Sequence, residues 1–132
     1  RDYRAVANDN IMIIAMIETE EGTAAADEIA QVDGVDLVFV ASSDLSSFSG
    51  RRQGDPVYEN LVTRIKTETT NAGKYVGGPS AWMNTRDGYQ FFQGPGTSAL
   101  IRAGVRVTLE ESDPCRFLPS GTAPVQGEDP CP

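Results

Sequence analysis

Histidine is absent from all 132 residues. Cysteine is nearly so, with only Cys115 and Cys131, both close to the C-terminus. Two thiolates without imidazole partners do not make a four-ligand zinc site. Basic residues are scarce, 11 against 19 acids for a formal net charge of −8. That balance speaks against nucleic acid or an anionic membrane surface as partner. Long hydrophobic runs are missing too. The longest, residues 11–17, is the size of a strand and far below the roughly 20 residues that span a bilayer. No signal-peptide pattern is present, and the chain starts at Arg1 without an initiator Met, as expected of a processed or truncated polypeptide.

What is present is globular. An apolar fraction of 39% and a charged fraction of 23% are inconsistent with wholesale disorder. The length suits one domain with a real core.

Two acids stand out by position. Glu18 follows the apolar run at residues 11–17, and Asp44 closely follows the run at 37–41, with a helix-forming stretch between them. In a parallel α/β fold the C-terminal ends of neighbouring strands share one rim. Two carboxylates leaving that rim converge, and they repel unless protonated or bridged by a cation. The economical reading is a divalent-metal site. The plainer alternatives are a first-turn helix acid for Glu18 and a helix cap or Asx-turn for Asp44.

The rest of the chain alternates in the same way. Residues 1–10 read as helix end, 11–17 as a strand apolar on both faces, and 23–31 as a helix. After the strand at 37–41, residues 46–55 read as a Ser/Gly/Arg loop. Asp55-Pro56 opens the clearest helix, closed by Ala72-Gly73. A short strand at 74–78, a helical turn near 81–86, a strand at 89–93 and a helix over about 97–104 follow, with 105–109 ambiguous between helix and strand. Residues 113–132 hold five of the eight prolines and read as an irregular tail. Joining Cys115 to Cys131 there closes a loop of about 16 residues, worth roughly 3 kcal/mol and favouring an oxidising compartment. Left apart, they are two thiols in the tail. The expected division is therefore 1–112 as one unit and 113–132 as tail.

Four alternations argue a parallel sheet with crossover helices. That is half of a (β/α)8 barrel, with two open edges and a bare sheet face. A partner is expected: the N-terminal half-barrel, or a second copy of the chain in a homo-oligomer.

Several segments resemble the HpcH/HpaI (citrate-lyase-like) class II pyruvate aldolase family. They are Ile17-Glu18-Thr19, Asp44-Leu45-Ser46, Lys74-Tyr75-Val76-Gly77-Gly78-Pro79, and Gly88–Gly94 followed by Ala99–Gly104. The resemblance covers about residues 3–110 and implies the second half of a TIM barrel. It implies that Glu18 and Asp44 hold a divalent cation, Mg²⁺ or Mn²⁺ with Co²⁺ a further candidate. All-oxygen ligation favours such hard ions over zinc. It also implies a pyruvate-like 2-oxo acid substrate, carbon–carbon cleavage or decarboxylation through a pyruvate enolate, and a cytoplasmic setting, whereas a joined cysteine pair would suit secretion. Ser42, Ser43, Gly78 and Pro79 are candidate substrate contacts; ordinary turn and packing roles stand beside that reading.

The departures are specific. Met16 stands where the family carries Gln, and Ala41-Ser42-Ser43 replaces a Gly-Pro. The family's substrate-polarising Arg and catalytic His belong to earlier strands, so no catalytic acid or base is identified in this half. Lys66 and Lys74 are poorly placed for a Schiff base. The rival reading is a non-catalytic binding or structural protein that retains the fold.

Overall fold

The computed structural model describes residues 3–111. A short helix α1 (Tyr3–Val6) and a 3-10 turn (Asn8–Asn10) lead into strand β1 (Ile14–Ile17). Helices α2 (Glu20–Ala24) and α3 (Ala26–Gln31) cross over to β2 (Leu37–Val40). Helices α4 (Ser42–Ser49) and α5 (Pro56–Asn71) cross to β3 (Tyr75–Pro79). A 3-10 turn (Ser80–Trp82) precedes β4 (Phe91–Gln93), and helix α6 (Thr97–Glu111) forms a unit of its own. Among the described residues no helix is long and apolar enough to cross a membrane.

The four strands are all parallel and lie in chain order, β1-β2-β3-β4. The register aligns Ile17 with Val40, and Met16 with Phe39, Gly77 and Phe91 across the sheet. Alternation along the strands then separates two faces. Ile17, Val38, Val40 and Val76 pack against Ala26, Ala30, Leu45, Tyr58, Val62 and Ile65 from the crossover helices. Each large aliphatic buried this way contributes about 1.5–3 kcal/mol. The opposite face carries Ile14, Met16, Leu37, Phe39 and Phe91, none of which belongs to that core cluster among the described residues, although Leu37 and Phe39 are buried. Met16 is 57% exposed.

Sequence and structure differ at several boundaries, each for a local reason. The ladder of β1 begins at Ile14; Ile13 is instead tied by its N–H to the Asp36 carboxylate at 2.8 Å. The helix expected at 23–31 starts earlier because Thr19 caps it, its hydroxyl accepting from the Gly22 N–H at 2.9 Å. It then breaks at Ala25 into two pieces. Residues 42–49 form a helix where the sequence reads mostly as loop. Serines compete with the backbone and disfavour helix interiors, yet Leu45 is completely buried and anchors this one. In β4 the ladder starts at Phe91; Gln90 before it donates its backbone N–H to the Val76 carbonyl at 2.9 Å and accepts the Val76 N–H on its side chain at 3.1 Å. Residues 105–109 are helical. Cys115, Cys131 and the tail boundary at 112–113 lie outside the described residues.

Candidate metal and substrate site

Glu18 directly follows the last residue of β1, and Thr19 already caps the next helix. Strand and helix are thus joined with one residue to spare. Gly22 makes the tight turn feasible, since a Cβ there would lie 3.3 Å from both Ile17 Cγ2 and Thr19 Oγ1. On the neighbouring strand the Ala41 N–H donates to the Ile17 carbonyl at 3.1 Å, continuing the ladder so that Glu18 comes level with Ala41. Helix α4 starts at Ser42, which sets Asp44 in its first turn. Both acids therefore leave the same rim from adjacent strands. The alternation that buries Ile17 assigns Glu18 to the side of Met16.

On that side, at the C-terminal rim, lies an open cavity of about 150 Å³. Met16 and Phe39 line it from the strands; Ser42, Ser43 and Asp44 come from the start of α4, and Pro79 and Gln93 from the ends of β3 and β4. Four of the six candidate residues, Ser42, Ser43, Asp44 and Pro79, thus meet at one cavity. Glu18 and Gly78 are not among its lining residues. Among the described residues neither Glu18 nor Asp44 takes part in either of the two ion pairs, which join Arg51 to Asp55 and Arg86 to Glu59. Asp44 is exposed and Glu18 half-buried.

Phe39, which lines the cavity, belongs to an aromatic pair. Phe39 and Phe91 meet edge to face with centroids 6.3 Å apart. They close over Gly77, where a Cβ would fall 2.8 Å from Phe39 Cδ2 and 3.2 Å from Phe91 Cδ1. Gly78 serves the other face, its would-be Cβ lying 2.6 Å from Trp82 Cε3. The glycine pair thus admits a ring on each side of the sheet.

Behind the sheet, a second polar group had no counterpart in the sequence reading. The Arg86 guanidinium grips the Glu59 carboxylate with two hydrogen bonds of 2.6 and 3.0 Å and lies 4.3 Å over the Trp82 ring. The arginine's hydrogen bonds hold Glu59 below the usual carboxylate range, and Glu59 in turn raises Arg86. Tyr89 packs edge to face on Trp82 at 5.3 Å, and burial pushes its phenol up to about 12. Trp82 Nε1 donates to Gln53 at 3.2 Å, and the Tyr58 hydroxyl donates to the Ser42 carbonyl at 3.1 Å. The sequence signal available for this group was the short β3–β4 connection, too short for a full crossover helix, with three aromatics or cations in it. Phe39 and Gln93 also escaped notice as cavity residues; the parallel register sets them beside Met16 and Pro79 respectively.

Residues 1–97 match the HpcH/HpaI aldolase/citrate lyase family model. The chain belongs to that family. It is 40% identical over 79 residues to a hydroxypyruvate/pyruvate aldolase of Roseovarius nubinhibens, covering 54% of this chain and 30% of that protein. It is 35% identical over 78 residues to the 5-keto-4-deoxy-D-glucarate aldolase of Shigella boydii serotype 18, covering 58% and 30%. Among solved structures, an HpcH/HpaI aldolase/citrate lyase family protein from Burkholderia cenocepacia J2315 superposes with a TM-score of 0.68 at 28% identity, over 83% of this chain and 46% of that one. The chain spans less than half the length of each of these relatives. Its four strands in chain order are part of the barrel-like fold that such family members share.

Proposed function

We propose that the chain supplies the cation-holding half of a class II aldolase that cleaves or decarboxylates 2-oxo acids through a pyruvate enolate. The observation that carries this reading is the exit of Glu18 and Asp44 from one rim of adjacent parallel strands, with Asp44 at a cavity and no ion pair for either among the described residues.

The donor chemistry fits a hard cation. Among the described residues no cluster of three or more Asp, Glu, His or Cys could enclose a metal alone. Mg²⁺ commonly takes one or two carboxylates and completes its shell with water and substrate oxygens, so a two-carboxylate rim suits it, and Mn²⁺ equally. When bound, such a cation supplies Lewis acidity beside a keto oxygen on which charge builds. Glu18 and Asp44 would hold the cation at the rim. Ser42 and Ser43 offer hydroxyl and backbone N–H donors to a substrate carboxylate, Pro79 shapes the wall, and the backbone at Gly78 allows close approach. Residues 1–112 act as the half-barrel. The acid and base, with the remaining wall, come from an N-terminal half; a second copy of the chain is the alternative cover for the Met16 face of the sheet. The names of the pyruvate and sugar-acid aldolases among the relatives support a pyruvate-like product.

A binding-only reading has one observation in its favour: Met16, an apolar group, lines the cavity where a polar substrate contact is wanted. The two separate by assay on the full protein. Pyruvate release from 4-hydroxy-2-oxo acids and from oxaloacetate is measured with Mg²⁺ or Mn²⁺, then with EDTA. The aldolase reading expects turnover with metal and loss with chelator. No turnover of either substrate, with no cation bound, selects the binding reading.

A further inference from the structure

Helix α4 is weak by composition. Five of its eight residues, Ser42, Ser43, Ser46, Ser47 and Ser49, are serines, which bond locally to the backbone and gain little from helix. Ser46, Ser47 and Ser49 do so here, to the carbonyls of Arg51, Ser43 and Leu45. Its N-cap, Ala41, offers no side-chain cap to the first turn, and that turn carries Asp44. The helix is held by its environment instead, at two points. Leu45 is completely buried in the core, and the Tyr58 hydroxyl donates to the Ser42 carbonyl at 3.1 Å.

Tyr58 is itself fully buried in the first turns of α5 and has no freedom to follow a drifting α4. The start of α5 is pinned in turn. Asp55 caps it by accepting the Val57 N–H at 2.8 Å, and Glu59 accepts the Gly54 N–H at 2.8 Å while gripped by Arg86. The phenol therefore reaches from a rigid helix to a soft one, and its contact lies two residues from Asp44.

We propose that Tyr58 is a positioning residue for Asp44: its hydroxyl fixes the first turn of α4 and so the carboxylate at the cavity. This rests on the cation-holding reading of Asp44, and two readouts keep the two claims apart. Tyr58→Phe keeps the ring and removes the hydrogen bond alone. Amide hydrogen exchange in the whole chain reads the helix directly, without any metal. Loss of one such bond is expected to speed exchange across residues 43–47 by about threefold to tenfold and to leave α5 unchanged. Unchanged exchange in α4 overturns the proposal. Mn²⁺ titration of the full protein then reads the consequence. Groups that orient a ligand typically alter metal affinity by about 10- to 100-fold, so Tyr58→Phe is expected to weaken Mn²⁺ at least about tenfold, with unfolding temperature near that of the parent. Equal Mn²⁺ affinity in parent and variant overturns the link to Asp44. Should the parent bind no Mn²⁺, the cation reading falls, and the exchange result alone decides whether Tyr58 fixes α4.

Discussion

The two faces of this sheet are finished to different degrees. On the crossover side, Trp82 is 1% exposed, the Arg86–Glu59 pair is bidentate, and helices cover the strands. On the other side, among the described residues, Leu37 and Phe39 are buried but Met16 is more than half exposed, and Asp44 lines an open cavity. The first face is closed by the chain's own residues and serves stability. The second leaves apolar surface and charge uncompensated, the condition in which a substrate, a cation or another polypeptide is bound. One fold thus shows where it is self-sufficient and where it is built to receive something.

The sharpest way to break that contrast is at Trp82. Trp82→Ala removes a fully buried ring and strands Arg86 and Tyr89 beside the gap; a loss of about 3–5 kcal/mol is expected from denaturant unfolding. Next is Gly77→Ala, on the same face of the sheet as Met16, where the added Cβ collides with Phe39 and Phe91. It is expected to cost about 1–3 kcal/mol and to part the aromatic pair, which near-ultraviolet circular dichroism detects. A smaller effect comes from pH. Glu59 is lowered in the folded chain, so its contribution is present above its ordinary value of 4.5 and is lost as pH falls through its lower folded value. Glu59→Gln should flatten that acid limb in a stability-versus-pH series, and an unaltered acid limb would count against the pairing. Smallest is Met16→Ser, within about 0.5 kcal/mol in this chain because the residue is already exposed. A large loss there would mean that the chain covers this face itself.

Much of the architecture was legible in the residues. The apolar runs at 11–17 and 37–41 and the Pro56-led helix mark two strands and α5, because burial on both faces and end capping leave strong local signals. Helix α4 was not, since its serines argue against it and only the tertiary burial of Leu45 and the Tyr58 bond outweigh them. The rim position of Glu18 and Asp44 was legible from order alone. The role of Gly77 and Gly78 in seating one ring on each face was hidden, because it depends on side chains from β2, β4 and the Trp82 turn meeting in space. The Arg86–Glu59 grip joins residues far apart in sequence and leaves no periodic trace.

The central claim is that the rim acids hold one hard cation, and titration with Mn²⁺ tests it most directly. The full protein is expected to bind one Mn²⁺ per chain, displaceable by Mg²⁺, with Glu18→Gln and Asp44→Asn each abolishing binding while circular dichroism stays unchanged. Undiminished Mn²⁺ binding in the two folded variants would contradict the account.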